Sequence, residues 1–263
     1  MPEMLERNAN ADLLGCFLST IPAGLGALLK ERRVAAGESW EQSTSQHHMH
    51  FVRAGVVSHR VSNSDGMSVS VHLSGAGDLV ELAETMSPLP ISARAVALFP
   101  SQIVQVPSRL LREALCDNAA FREACMRCLT LRYVRTSQLA ICNAVHDLQS
   151  RVARHLYILT RHSEILFPLT QESLAAELGV QRTSICLVMN DLRARGVLEF
   201  SRGHLTILCR GRLAGFACEC TEILDQAICG QHGEVQAYES FSVSHVPSLQ
   251  PIPTPPGNCV RGA

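Results

Sequence analysis

Apolar residues recur at helical spacing in two neighbouring segments of the chain, on either side of Gly179. Residues three or four positions apart lie on one face of a helix, so each segment predicts an amphipathic helix. Gly179 permits the positive φ of a tight turn, and small Ala175 lets the second helix pass close to the first. The pattern therefore predicts two crossed helices over one aliphatic core. Its four expected members are Leu174, Leu178, Ile185 and Val188.

A strand pair is predicted directly after the second helix. Residues 197–200 and 205–208 are short apolar runs, and Ser201-Arg202-Gly203-His204 between them has the composition of a turn. Two helices joined by a turn and followed by a hairpin make a winged helix-turn-helix. The start of its second helix carries hydrogen-bonding side chains, and that part of a recognition helix contacts base edges. The candidate base contacts are Gln181, Arg182, Thr183 and Ser184.

This segment resembles the DNA-binding domain of the Crp/Fnr family of bacterial transcription regulators, and residues 12–220 resemble that family in layout. The likeness is closest to members whose wing is followed by Cys-Glu-Cys, here residues 218–220. It implies an α+β fold with an N-terminal antiparallel β-roll of the cyclic-nucleotide-binding type, a long dimerisation helix and a C-terminal winged helix-turn-helix. The expected boundaries are 12–116 for the β-roll sensor domain, 117–145 for the helix, 146–220 for the DNA-binding domain and 221–263 for a proline-rich disordered tail.

The resemblance also implies partners: double-stranded DNA, a second copy of the chain, and RNA polymerase. Arg182 is expected to read a guanine, whereas Arg202 in the wing turn is expected to contact phosphate. Thr170 and Gln171, where the first helix starts, complete the predicted DNA-binding residues. No nucleophile and base stand out in the sequence, so an enzyme is not predicted.

Short strands are predicted between residues 34 and 106, as the β-roll requires. The clearest pair is 55–61 with 67–73, because the second of these alternates polar and apolar residues strictly. Residues 62–66, Ser-Asn-Ser-Asp-Gly, predict the turn between them.

Residues 108–167 contain neither proline nor glycine and therefore predict mostly helix. The helical pattern restarts near His146, where Asp147 can cap a new helix. Two apolar strips run along the long helix; one is expected to face the β-roll and the other a partner helix. We place Leu131 and Val134 in the expected dimer seam.

Cyclic-nucleotide binding is not expected of the β-roll. Nucleotide-binding relatives hold the ribose with a carboxylate after glycine and the phosphate with an arginine before Ser/Thr-Ala. The matching segments here start as Gly77-Asp78 and read Ile91-Ser92-Ala93, so an isoleucine stands in place of the guanidinium. We therefore expect no response to cyclic AMP, and no cofactor is predicted.

Histidines and cysteines suggest three further chemistries, and none is favoured. His47-His48-x-His50 lacks a nearby acid or cysteine to complete a site, so a solvated loop or strand edge is favoured over a metal or haem sensor. An Fnr-type iron–sulfur cluster needs several N-terminal cysteines, and that region has Cys16 alone. Cys125-x-x-Cys128 leaves core packing, redox sensing and cluster ligation open. No metal site is predicted.

The charge distribution supports DNA binding more than the net charge of −1 does. Residues 140–215 carry nine basic and six acidic side chains, so affinity would depend on where the arginines lie. No apolar run approaches the roughly 20 residues of a membrane span, and the first residues have no signal-peptide core. A cytoplasmic protein with no membrane partner is expected.

Two alternative functions remain open at this point. One is a thiol-based redox protein that uses Cys125 and Cys128. The other is a ligand-binding module in which the helix-turn-helix serves only for packing, since fold alone does not imply function. The favoured interpretation is a homodimeric regulator that binds a palindromic operator in response to a signal.

Overall fold

The computed structural model describes residues 13–42, 48–86, 93–161, 166–167, 169–201 and 204–223. Its N-terminal elements are α1 (Leu13–Leu18), a 3-10 helix (Ala23–Leu28), β1 (Lys30–Val34), β2 (Ser39–Gln42), β3 (His48–Ala54), β4 (Val57–Ser62), β5 (Ser68–Ser74), α2 (Leu82–Met86), β6 (Ala93–Ala97) and β7 (Ser101–Pro107). The later elements are α3 (Ser108–Asp117), α4 (Ala119–Val145), α5 (Leu148–Leu159), β8 (Leu166–Phe167), α6 (Gln171–Leu178), α7 (Arg182–Ala194), β9 (Leu198–Ser201), β10 (His204–Ile207) and α8 (Arg210–Phe216).

Two antiparallel sheets form the N-terminal roll, with strand orders β1-β7-β3 and β2-β6-β4-β5. The predicted hairpin is present, because β4 pairs with β5 from Val57 opposite Ser74 to Ser62 opposite Ser68. Asn63 closes its turn by accepting a hydrogen bond from the backbone N–H of Met67 at 2.9 Å. The pairing has one register shift, between His59 and Arg60. On β5 the polar Ser70, His72 and Ser74 are buried and the apolar residues between them are half-buried, so the alternation predicted the strand but not which face lies inward.

The long helical region is divided at a residue that the sequence analysis overlooked. Asn118 separates α3 from α4 and caps α4, since its side chain accepts a hydrogen bond from the N–H of Phe121 at 2.9 Å. The second break lies where it was predicted. The side chain of Asp147 accepts from the N–H of Ser150 at 3.0 Å and begins α5.

The winged helix-turn-helix has the predicted crossed helices, and Gly179 ends α6 with φ of 65°. Leu174, Leu178 and Ile185 are buried as expected. Val188 is half-buried, and Met189 and Leu192 on the same helix lie deeper in the core. Strands β8, β10 and β9 form the three-stranded antiparallel wing sheet.

The winged unit packs directly on the roll. Val56, Leu98 and Phe99 from the roll share one apolar core with the helices and strands of the winged unit. Gly179 lies against β5, where an added Cβ would be 3.3 Å from the Cβ of Val69. The two halves are therefore joined by packing as well as by chain connectivity. None of the helices in the described ranges is both long and apolar enough to cross a membrane.

Candidate nucleic-acid interface

The first turn of α7 presents polar groups to solvent. Gln181, Arg182 and Thr183 are exposed and Ser184 is half-buried. Gln181 is the N-cap residue, yet its side chain makes no capping hydrogen bond. Ile185 in the next position is fully buried and anchors this turn to the core. The arrangement holds a row of donors and acceptors on a rigid element, as base recognition in a major groove requires.

The outward face of α7 continues beyond the four residues predicted from the sequence. Leu187 is 73% exposed, and Asn190 is exposed one turn further on. Both follow Thr183 at helical spacing, so extending the periodic pattern would have found them. A large apolar side chain exposed beside polar ones on this face can contact a thymine methyl group.

Thr170 and Gln171 perform structural roles at the start of α6. The Thr170 hydroxyl accepts a hydrogen bond from the N–H of Ser173 at 3.0 Å and so caps the helix. The Gln171 side-chain oxygen accepts from the Cys186 thiol at 2.8 Å, which ties α6 to α7. Arg202, the predicted phosphate contact, lies outside the described residues.

Several arginines surround the winged unit at its surface. Arg193, Arg195, Arg210 and Arg212 are exposed. Arg195 is held by Asp191, 2.7 Å away and one turn earlier on α7. Guanidinium groups at such positions can pair with phosphates in a sequence-independent way.

A buried carboxylate connects α6 to the roll. Glu177 is 1% exposed, and its two oxygens accept hydrogen bonds from Ser58 at 2.8 Å and from Arg60 at 2.5 Å. Burial raises the pKa of Glu177, and the nearby Arg60 opposes that shift. Arg60 also donates to the Ser173 hydroxyl at 3.2 Å. The first helix of the winged unit is therefore fixed to β4 by an ion pair shielded from water.

A buried histidine faces the same carboxylate. His155 on α5 has its Nε2 3.8 Å from Glu177, which would favour a charged ring. Burial nevertheless lowers the pKa of His155 to about 3, and the positive charges of Arg154 and Arg60 act in the same direction. We take the ring as neutral, because desolvation is the largest effect and two cations outweigh one carboxylate.

The roll uses its own acidic groups internally. Glu81 accepts hydrogen bonds from the N–H of His50 at 2.8 Å and from Trp40 at 3.0 Å, and it pairs with the His50 ring at 2.8 Å. From α4, Arg132 donates to the carbonyls of Leu79 and Val80. Ile91 and Ser92, which the cyclic-nucleotide argument uses, lie outside the described residues.

The local histidine cluster does not form a site within the described residues. His50 is buried against Glu81, while His48 is exposed; His47 lies outside the described residues. Cys125 and Cys128 are buried on α4, and burial raises the pKa of Cys125 to about 12. A redox-active thiol needs a stabilised thiolate, so this environment favours the packing role for Cys125.

The structure assembles a different group of metal-ligand side chains. Cys142, His146, Cys218 and Cys220 bring their ligand atoms within 4.8 Å of one another. The sequence analysis missed this group because Cys142 and Cys218 are 76 positions apart. The signals present in the sequence were Cys-x-x-x-His at the end of a helix and the Cys-Glu-Cys segment.

Comparison with known proteins supports the assignment of the helix-turn-helix. Residues 150–216 match the Crp-like helix-turn-helix domain. The chain is 25% identical over 121 residues to the global nitrogen regulator of Synechococcus elongatus, covering 43% of this chain and 54% of that protein. It thus spans about half the length of the curated relatives it matches.

Solved structures share the fold over most of the chain. A Crp/Fnr-family protein from Eubacterium rectale has a TM-score of 0.62 at 18% identity, over 76% of this chain and 96% of that one. FixK2 from Bradyrhizobium japonicum has a TM-score of 0.61 at 16% identity, over 72% and 98%. Residues 150–216 therefore form a Crp-like helix-turn-helix domain, and the chain shares its fold with solved structures of the Crp/Fnr family.

Proposed function

We propose that the chain is a cytoplasmic, homodimeric regulator that binds a palindromic operator and changes its DNA affinity in response to a signal. The observation that carries the proposal is the exposed polar first turn of α7, anchored by buried Ile185. Side chains on a rigid helix reach base edges at little entropic cost, because the helix does not have to order on binding. RNA polymerase is the further partner that the family implies.

Arg182 is the side chain proposed to read a base. Its guanidinium is exposed and can donate two hydrogen bonds to O6 and N7 of one guanine. Leu187 one turn later supplies an apolar surface for a thymine methyl group. Arg193 is exposed at the end of α7 and is better suited to a phosphate.

Dimerisation is proposed through the exposed face of α4, most of which lies in its C-terminal half. The roll covers the first half of this helix, where Phe121, Ala124 and Cys125 are buried. Leu131 is also buried within the chain at 4% exposure, so its placement in the dimer seam is wrong. The exposed apolar residues are Met126, Tyr133, Val134, Ile141 and Val145.

These exposed residues support a helix pair between two copies. Met126 and Tyr133, like Val134 and Ile141, are seven positions apart, which is the repeat of two helices that pack along their length. Tyr133 is 74% exposed and Val145 64% exposed, so a single chain would leave these apolar side chains in contact with water. Two-fold symmetry would then place the two α7 helices in successive major grooves about 34 Å apart.

The Glu177 ion pair provides a route for the signal. It joins β4 of the sensor roll to α6, and α6 packs against the recognition helix. A change in the roll that moves Arg60 would change the position of α6, and with it the orientation of the DNA-binding unit relative to the roll. Coupling of this kind needs an element with two arrangements. The helix is interrupted at His146, between α4 and α5, and this junction is where the winged unit could pivot.

The test is DNA binding by the Arg182→Ala variant. Operators would be obtained by selection from random duplexes, and affinities measured on all single-base variants at two salt concentrations. We expect Arg182→Ala to remove preference at one base pair per half-site, a loss of about 1–3 kcal/mol of discrimination.

The matched control is Arg109→Ala. Arg109 is exposed on α3, away from the winged unit, so its loss should leave affinity and base preference unchanged. Uniform weakening on every sequence by Arg182→Ala would mean that Arg182 is a phosphate anchor, and the assignment of the reading residue would fail. Failure of the parent protein to select any duplex would refute the proposed function itself.

A further inference from the structure

The four side chains near the α4–α5 junction come from two distant parts of the chain. Cys142 lies in the last turn of α4, and His146 is the residue that ends this helix. Cys218 and Cys220 follow α8, beyond the wing. The three cysteines are buried and the histidine is half-buried. The end of one helix and the segment after another thus converge on one point.

The distances match a four-coordinate cage. Zn–S bonds of about 2.3 Å in a tetrahedral site set the sulfur atoms about 3.8 Å apart. The Sγ atoms of Cys142 and Cys218 are 3.6 Å apart, and Cys220 Sγ is 3.5 Å from Nδ1 of His146. All four ligand atoms lie within 4.8 Å. In an iron–sulfur cluster the protein ligands are separated by the whole cluster. The ligand atoms of this group lie too close together to enclose one.

The histidine is oriented for metal binding by the neighbouring acid. Nε2 of His146 is 3.0 Å from a carboxylate oxygen of Glu219, and this partner holds the proton on Nε2. Nδ1 then carries its lone pair toward Cys220. Ligating histidines in proteins commonly have such a second partner.

Polar groups around the sulfur atoms suit thiolates. The Gln138 amide donates to Cys220 Sγ at 3.0 Å. Burial has the largest effect on the Cys142 thiol and favours its neutral form, and Arg154, which is 2% exposed, places an opposing positive charge nearby. Three thiolates and one imidazole around a divalent ion carry a net charge of about −1, which a buried guanidinium can offset.

We propose that Cys142, His146, Cys218 and Cys220 bind one Zn²⁺ in a closed tetrahedral site that joins the end of α4 to the segment after the wing. On binding, the three thiols release three protons to solvent, and His146 ligates as the neutral ring. Four protein ligands leave no open position, so the ion is structural and not catalytic. The site does not depend on DNA binding.

The position of the ion gives it a specific mechanical effect. In the sequence, one pair of ligands lies at the α4–α5 junction and the other pair follows α8, so the winged unit lies between the two pairs. A bound ion would hold the C-terminal end of this unit against the helix proposed to dimerise. Helix α4 and the winged unit would then move together at this point, and removal of the ion would release them.

The test is metal analysis of the full-length protein purified in reductant without chelator. We expect one zinc per chain by mass spectrometry of the metal content. Replacement by Co²⁺ should give the intense visible bands of a tetrahedral site together with thiolate-to-cobalt charge transfer. Cys218→Ser and Cys220→Ser should lose the metal. Cys116→Ser and Cys209→Ser are the matched controls, because both cysteines are exposed elsewhere, and each should keep it.

Glu219→Gln tests the ligand assignment without removing a ligand. Glu219 is exposed, so the fold should survive, and zinc affinity in a chelator competition should fall about 10–100-fold. A protein that takes up neither zinc nor cobalt would overturn the proposal, as would one that carries iron with sulfide. A Cys142–Cys218 disulfide in freshly purified protein, with no metal uptake after reduction, would also overturn it. If the serine variants are insoluble, the cobalt spectrum of the parent protein decides alone.

Discussion

Breaking the ion pair between Arg60 and Glu177 on one side should cost the folded protein several kcal/mol. Arg60→Met keeps most of the side-chain volume but removes the guanidinium that lies 2.5 Å from Glu177. Glu177, with a fully buried side chain, would retain Ser58 as a hydrogen-bond donor and lose its neighbouring cation. Breaking one half of such a buried pair costs about 3–5 kcal/mol, because an uncompensated charge remains in the interior.

A second substitution separates this effect from simple loss of packing. Glu177→Gln in the Arg60→Met background removes the remaining charge while keeping an oxygen for Ser58 to donate to. We expect the double variant to recover at least half of the lost stability, since no buried charge is then unpaired. The two substitutions should therefore be strongly non-additive.

The assay is urea unfolding at neutral pH, with the free energy of unfolding extrapolated to water. The control is Arg127→Ala, which breaks the exposed pair with Glu123 one turn earlier on α4. That change should cost less than about 1 kcal/mol. The reasoning is refuted if Arg60→Met costs no more than the control, or if the losses in the double variant simply add.

Two further predictions concern the dimer and the response to acid. Tyr133→Asp with Ile141→Asp should shift the protein from dimer to monomer in sedimentation, because both side chains are exposed on α4; an unchanged dimer would exclude this seam. His155, with its folded pKa lowered to about 3 from 6.5, should make stability fall as pH drops from 6.5 toward 3, because the unfolded chain binds that proton first. His155→Gln should reduce the slope of the free energy of unfolding against pH by up to one proton, as measured by urea unfolding at several pH values between 3 and 6.5. An unaltered slope would contradict the assignment of a neutral His155.

Local features of the winged unit could be predicted from the sequence because neighbours in the chain decide them. Gly179, Asp147 and Thr170 act within three or four residues, through a left-handed backbone or a capping bond. The β4–β5 hairpin follows in the same way from alternation and a five-residue turn, whereas its register shift between His59 and Arg60 does not. Leu187 and Asn190 were also within reach of this reasoning, since they continue a helix face already identified.

Tertiary packing alone decided the rest, because burial depends on what a surface meets. Both apolar strips of α4 look alike in sequence, but the roll covers Leu131 and leaves Tyr133 in water. Glu177 has the sequence character of a surface acid, and it becomes a buried ion-pair partner only because β4 carries Arg60 opposite it. Cys142 and Cys218 form a cluster because α8 packs against α5 and returns the chain to the end of α4, and no local pattern encodes a meeting across 76 residues.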